Sequence, residues 1–268
     1  MKFEITDNRK KNKIKLSVIM SVYNGDSTLK ESIKSILNQS FKNFEFIIIN
    51  DGSTNFTHRV IEKFLKVKKN NILYIRSKKN LGLPKMLNTG IKYSNGAYIA
   101  RQDADDISFG NRMFLQINFL KKNKKIDVLG CNSLNFNTNT SIKKKTDFPS
   151  FDFEIKREML KINPICHASV MFRANFFNKY GLYDEKFKKA QDYELWLRVK
   201  KKCKFHNLKD ILLKRSIQKK SFGIITLYYG ILSRIKNADG VNENFKSLLY
   251  SCRDFLLYIL NKFRLSDY

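Results

Sequence analysis

Two carboxylates one residue apart, Asp103 and Asp105, follow the short apolar run Ala97–Ala100. Hard oxygen ligands of this kind suit Mg²⁺ or Mn²⁺, and few are needed when a diphosphate supplies the remaining oxygens. The same acidic turn also reads as a cap for the next helix, with Asp106 or Ser108 as N-cap. Asp51 stands in Asn50-Asp51-Gly52-Ser53, directly after the apolar run Phe44–Ile49. It is either a turn former, for which a short polar side chain is suited, or an acceptor for a nucleotide base or ribose. Tyr23 follows the run Leu16–Val22 and offers a ring that stacks on a base, or an amphipathic residue at a strand end. Gln191-Asp192 opens a helical pattern. There Asp192 either complements the helix N-terminus or acts as a general base on an attacking hydroxyl. His167 is one of three histidines; it is either satisfied by backbone or lines a site.

The elements that must position these residues alternate. Leu16–Val22, Phe44–Ile49, Ile72–Ile75 and Ala97–Ala100 read as buried strands. Between them lie amphipathic helices. The first is marked by Leu29, Ile33, Ile36 and Leu37 after a Thr28–Glu31 capping box. The second is marked by Phe56, Val60, Ile61, Phe64 and Leu65, and the third by Met86, Leu87 and Ile91 behind Pro84. This alternation predicts an α/β fold with a mostly parallel central sheet flanked by helices. In such sheets ligands sit beyond the carboxyl ends of the strands, where Tyr23-Asn24-Gly25, Asp51-Gly52-Ser53 and Asp103-Ala104-Asp105 all fall.

The second half is less regular. Residues 134–163 are rich in Asn, Thr and Lys and read as a variable excursion, a candidate for a loop that closes over a ligand. Ala168–Arg173 predicts a strand and Ala190–Lys201 a helix. Phe222–Ile235 is strongly apolar, and Phe245–Arg264 carries a stripe of Leu248, Leu249, Cys252, Leu256, Ile259, Leu260 and Phe263. The expected division is a basic segment over 1–14, an α/β domain over 15–220 and an amphipathic helical extension over 221–268.

The 268 residues, 43% of them apolar, are enough for a sizeable core. With 52 Lys and Arg against 24 Asp and Glu, the net charge is +28. Such a charge favours polyanionic partners: nucleic acid, an anionic membrane leaflet or phosphorylated substrates. It argues against an enzyme of a neutral substrate with no surface to sit on. Cys131, Cys166, Cys203 and Cys252 are widely spaced, which predicts reduced thiols and neither a zinc site nor a disulfide framework. Met1–Lys15 lacks the apolar core of a leader, and no run reaches the roughly 18 to 20 apolar residues of a span. The expected location is cytoplasmic, at the inner face of the membrane if peripheral.

The motifs resemble a family when taken in order: Ser17–Asn24 (SVIMSVYN), Ile49–Thr54 (INDGST), Asn80-Leu81-Gly82-Leu83, Gly96–Asp106 (GAYIARQDADD) and Gln191–Arg198 (QDYELWLR). Over about residues 15–200 the chain is similar to inverting family 2 glycosyltransferases of the GT-A (Rossmann-like) fold, most of all to bacterial enzymes of surface-polysaccharide and lipooligosaccharide assembly. The resemblance implies a nucleotide-sugar donor, UDP-linked in most members, and a glycan or lipid-linked acceptor. It implies that Tyr23, Asp51, Asn80, Lys85 and Asp103 hold the donor, that Asp105 with Asp103 holds Mn²⁺ or Mg²⁺, and that Asp192 is the base. His167 and Trp196 fall on the acceptor side. The family's Tyr-Arg-x-His element is replaced here by Leu213-Lys214-Arg215-Ser216-Ile217-Gln218, without histidine, so a third metal ligand is either missing or comes from elsewhere.

The competing class is a basic nucleic-acid-binding protein, in which aromatics interleaved with lysines would stack on single strands. It leaves the strand-end carboxylates unexplained, and no nucleic-acid module is visible; nucleic acid is not the expected partner. A sugar nucleotidylyltransferase would carry a Gly-rich loop where Tyr23-Asn24-Gly25-Asp26 stands. The extension over 221–268 has three open readings: lying in a membrane interface, packing on the domain, or meeting a second subunit.

Overall fold

Strand β2 (Leu16–Val22) is buried along almost its whole length because parallel neighbours flank it on both sides, β3 (Phe44–Asn50) and β5 (Tyr98–Asp103). Period-2 alternation sends Ile19, Ile47, Ile49, Leu73 and Ile75 to one face and Val18, Met20, Phe46, Ile48 and Tyr74 to the other. Both faces are apolar, so both need cover, and the intervening helices supply it. The structure, a computed structural model, describes residues 3–10, 13–25, 27–67, 70–137, 143–217 and 223–264.

Strand β1 (Glu4–Asp7) comes first, at the sheet's edge, antiparallel to β4 (Ile72–Arg76). Helix α1 (Leu29–Leu37) links β2 to β3, α2 (Thr57–Leu65) links β3 to β4, and α3 (Leu83–Lys92) links β4 to β5. Then follow β6 (Ile107–Ser108), α4 (Arg112–Lys122), β7 (Val128–Asn137), β8 (Lys143–Lys145) and α5 (Asp152–Glu158). A single 3-10 turn (His167–Ser169) precedes β9 (Met171–Arg173), α6 (Asn175–Tyr180), α7 (Gln191–Val199) and β10 (Phe205–Ile217). The described chain ends with α8 (Ile224–Asn237) and α9 (Gly240–Arg264). The sheet order is β1-β4-β3-β2-β5-β9-β7-β10-β6, with β8 on β7. The long ladders β2–β3, β2–β5, β3–β4 and β7–β10 are parallel, and β9 joins the two parallel blocks by running antiparallel to both β5 and β7.

The four strands expected from the first half all form, and α3 begins with Pro84 in its first turn, where a missing N–H costs nothing. Thr28, however, is already helical (φ −81°, ψ −18°), and no side-chain cap bond forms there. Glu154 is the acid that does fold back, accepting from the Phe151 N–H at 3.1 Å. Ala168–Arg173 is not one strand. Its first half coils into the 3-10 turn, since the Ser169 hydroxyl donates to the Cys166 carbonyl and the Ser169 N–H bonds the same atom. The stretch 134–163 is partly regular: β7 runs on to Asn137, and β8 and α5 lie within it, while residues 138–142 fall outside the described residues. Cys131, Cys166 and Cys203 are buried thiols and Cys252 is exposed. Among the described residues no helix is long and apolar enough to cross a membrane.

Candidate active site

Parallel pairing with fixed register brings the first three candidates to one edge. Val22 lies opposite Asn50, and Ser21 opposite Asp103. Tyr23, Asp51 and Asp103 therefore end three adjacent strands, and with strands about 4.8 Å apart the outer two strand ends lie about 10 Å from one another. That edge is the carboxyl end of the parallel block, as the sequence predicts.

Asp51 is almost fully buried. Its two oxygens accept the backbone N–H groups of Leu81 (2.7 Å) and Gly82 (2.9 Å), and so tie the loop before α3 to the end of β3. Burial pushes its carboxyl up, and those two N–H groups oppose the rise. Each oxygen keeps a second lone pair for a ligand. Beside it, Gly52 adopts φ +71°, and a Cβ there would stand 2.3 Å from the Lys79 carbonyl carbon. Gly52→Ala is expected to cost about 1 to 3 kcal/mol through backbone strain and to push the 79–82 loop off Asp51. Thermal denaturation, with donor titration beside it, checks this: both stability and donor affinity should fall.

Tyr23 is half exposed at the edge. Asn24 follows in the left-handed region (φ 48°), pinned by its N–H to Ser53 Oγ (2.9 Å) and by the Thr54 N–H to its Oδ1 (2.9 Å). Asn80 is exposed on the loop that Asp51 holds. Lys85 is on the first turn of α3, with its Nζ 4.0 Å from Glu185 Oε2.

The acidic cluster follows β5. Asp103 is partly exposed and ion-paired with Arg101, two residues back on the same strand and hence on the same face. Asp105 lies beside it, partly buried. Asp106 is buried, because β6 turns back against β10. Its Oδ1 accepts the Ser216 N–H at 2.9 Å, while its Oδ2 has no partner. Burial first, and then the charges of Asp103 and Asp105, push the Asp106 carboxyl up to about 8, with Arg215 opposing. A cluster in which two charges raise a third, buried carboxyl fits a cation, and Asp103 and Asp105 are the ones with access to solvent. Among the described residues no group of three His, Cys, Asp or Glu is arranged to hold a metal by itself, so an ion here would take further ligands from a substrate.

Asp192 arrives from the far half of the chain. Ala190 takes a left-handed conformation (φ 53°, ψ 25°), at about 1 to 2 kcal/mol for a residue with a Cβ, and the chain then turns into α7. That helix is anchored by Tyr193, Leu195, Trp196, Leu197 and Val199, all buried. Asp192 Oδ2 accepts from Asn163 Nδ2 at 2.7 Å. Burial pushes its carboxyl up; Asn163, the Arg101 guanidinium and the N–H groups at the start of α7 oppose the rise. Arg101 is buried, with Nε and Nη1 unbonded and Nη2 ion-paired to Asp103; burial opposes its charge, and the charges of Asp103 and then Asp192 favour it.

Around Asp192 opens a cleft of ≈ 680 Å³, lined among others by Phe148, Asn163, His167, Arg215, Leu227 and Arg234. His167 bonds the Tyr183 hydroxyl through Nε2 (2.9 Å), and burial with the nearby Arg101 and Arg215 charges keeps its ring neutral, its pKa well below the usual value. Trp196 is not brought to the cleft. It is fully buried, edge-on beneath His167 and stacked on Phe172, and so belongs to the core. The sequence reading missed Arg101, Asn163, Asp106 and Arg215 as site residues. Arg101 was accessible from strand periodicity, two before Asp103. Asn163 and Arg215 carry no local signal, because only the tertiary fold places them against Asp192 and Asp106.

The strand-end candidates thus lie beyond the carboxyl ends of a parallel α/β block, where open α/β sheets bind ligands, and Asp192 lines the cleft. The family described as Glycosyl transferase family 2 matches residues 17–181, and the chain belongs to that family. It is 36% identical over 203 residues to EpsE of Bacillus subtilis, covering 75% of this chain and 72% of that protein. It is 32% identical over 258 residues to an uncharacterized glycosyltransferase of Methanocaldococcus jannaschii, covering 91% and 89%. Among solved structures it is similar in fold to S. aureus TarS 1-349 in complex with UDP-GlcNAc, with a TM-score of 0.64 and 19% identity over 87% of this chain and 69% of that one. It is also similar to the mannosyltransferase PcManGT of Pyrobaculum calidifontis in complex with GDP-Man and Mn²⁺, with a TM-score of 0.66 and 12% identity over 94% and 72%. The chain is a glycosyltransferase of the GT-A fold.

Proposed function

We propose that this glycosyltransferase moves a sugar from a UDP-linked donor to a hydroxyl of a glycan or lipid-linked acceptor of bacterial surface-polysaccharide type, with inversion at the anomeric carbon. The observation that carries the reading is the convergence of Tyr23, Asp51 and Asp103 at the carboxyl ends of three adjacent parallel strands.

In this reading Tyr23 stacks on the base, Asp51 accepts from the nucleoside with its remaining lone pairs, and Asn80 and Lys85 border the diphosphate. Asp103 and Asp105 would hold a divalent ion, which would supply Lewis-acid stabilisation of the charge on the leaving diphosphate. Asp192 takes the proton of the acceptor hydroxyl as that oxygen forms its bond to the anomeric carbon. The carbon–oxygen bond to the nucleoside diphosphate breaks on the opposite face, and its electron pair leaves with the diphosphate. Asn163 and Arg101 keep Asp192 ionised and oriented for that step, and the neutral His167 presents a ring to the acceptor side of the cleft. Holding both substrates in line is worth up to about 7 to 11 kcal/mol of the barrier.

The test is a thermal-shift screen of UDP-, GDP- and dTDP-sugars with Mn²⁺, set beside salt-dependent oligonucleotide binding. A ligand at one hundred times its dissociation constant stabilises by about 2.7 kcal/mol, so a UDP-sugar is expected to raise Tm by several degrees. A shift only with GDP- or dTDP-sugars overturns the UDP assignment. Oligonucleotide binding without any nucleotide-sugar shift overturns the transferase reading of the site.

A further inference from the structure

The two C-terminal helices turn a long apolar face outward. Along α9 the residues turned to the protein include Glu243, Ser247, Ser251 and Asp254, with Tyr250 packed against the core. Ser247 and Ser251 are buried, Glu243 pairs with Lys200, and Asp254 pairs with Arg234 and Arg253. Helix α8 buries Leu227, Ser233 and Arg234, the last bonded to the Tyr193 hydroxyl at 3.1 Å. The outward face is apolar. Val241 is 88% exposed, Phe245 66% and Leu248 61%, and Leu249, Leu256 and Leu260 continue the row at helical spacing. Ile224, Ile225, Tyr228 and Ile235 of α8 are exposed as well. A helix that packed only on its own domain would show the reverse pattern, and a continuous apolar face of this size marks an interaction surface.

We infer that this face docks the protein flat on an anionic lipid bilayer. Charge decides the occupant. Both acids of α9 and the neighbouring Asp239 are ion-paired to the protein, so among the described residues the face offers no unpaired carboxylate. Lys246 is exposed, and Lys262 and Arg264 stand at the end of the helix in sequence. A second copy would bring another +28 against the first, whereas an anionic leaflet gains about 1 kcal/mol per nearby Lys or Arg. At 25 residues α9 is about 37 Å long, enough to lie in the headgroup boundary with its apolar side submerged. Leu227 of α8 with Leu257 and Tyr258 of α9 also line the cleft around Asp192, so the docking face adjoins the acceptor side.

The test is flotation of the full chain with phosphatidylcholine vesicles, with and without phosphatidylglycerol, beside the variant Leu249→Glu/Leu256→Glu. Both positions are exposed and outside the cleft, and the variant's melting curve and UDP-sugar thermal shift report whether fold and donor site are intact. The wild type is expected to float with phosphatidylglycerol vesicles and to be released by salt. The variant should lose at least about tenfold in vesicle affinity, since each charge placed in the interface opposes insertion, with its donor shift retained. Equal flotation of variant and wild type, or no flotation of the wild type, overturns the inference. A dimer that the same variant dissociates, without vesicle binding, overturns it in favour of a second copy. Vesicle binding is read without turnover, so its failure is separate from failure of the transferase reading.

Discussion

Asp192→Asn is expected to lower kcat by about 10²- to 10⁴-fold, the usual contribution of a general base, while donor affinity stays at the wild-type value. The amide has the same shape and can still meet Asn163, but it cannot take a proton. The proposed donor contacts, at Tyr23, Asp51 and Asp103, lie at the ends of other elements, so binding and chemistry separate. Steady-state kinetics with a donor titration by thermal shift reads both. Wild-type turnover in the variant removes Asp192 from the base role.

The same substitution carries a stability prediction of opposite sign. Burial raises the Asp192 carboxyl above its ordinary value. In the window between the ordinary and the raised value, the folded chain binds more protons than the unfolded one, so stability falls as pH rises through it. Above that window the ionised acid is a standing cost to the fold. Asp192→Asn removes it, so at neutral pH the variant's Tm should equal or exceed that of the wild type. The wild type's activity needs the ionised form, so the acid limb of its rate profile should sit above the usual carboxylate range. A dead but stabler variant would identify an acid kept for chemistry rather than for folding.

How far the sequence could be read follows from where its information is local. The first half was legible because a strand buried on both faces is an unbroken apolar run, and a polar residue ending such a run is visible without knowing its neighbours; hence Tyr23, Asp51 and Asp103. The ladder between β7 and β10 was not legible. Gly130, Asn132, Ser133 and Asn135 interrupt one strand and Lys209 and Asp210 the other, and the register slips between Leu208 and Ile211 and again before Leu213. Those irregular strands deliver Arg215 and Ser216 to Asp106. The tail's apolar stripe was plain in sequence, but its direction was not. Periodicity says that Leu248, Leu249 and Leu256 share a face, and only the ion pairs of Glu243 and Asp254 show that the opposite face is the one turned to the protein.

Removing the divalent ion should have an effect of similar size to removing the base. Asp103, Asp105 and Asp106 concentrate negative charge where the proposed donor's diphosphate would lie; burial first, and then the charges of Asp103 and Asp105, push the Asp106 carboxyl up to about 8. Without a cation these acids would repel the diphosphate; with one they anchor it. Chelation by EDTA is therefore expected to stop turnover, with Mn²⁺ or Mg²⁺ restoring it. Asp105→Asn should lower kcat/KM by about 10²- to 10³-fold, the scale of losing one preorganised contact to developing charge. Asp103→Asn should be distinguishable from it, because it also frees Arg101 from its ion pair. The fixed charge of Arg101 is then no longer offset by Asp103, and a positive charge acting on a carboxyl lowers its pKa. Asp103→Asn should therefore move the acid limb of the rate profile to lower pH, and Asp105→Asn should leave it in place. Full activity in chelator would remove the metal role from both residues, and an unshifted acid limb in Asp103→Asn would break the link through Arg101.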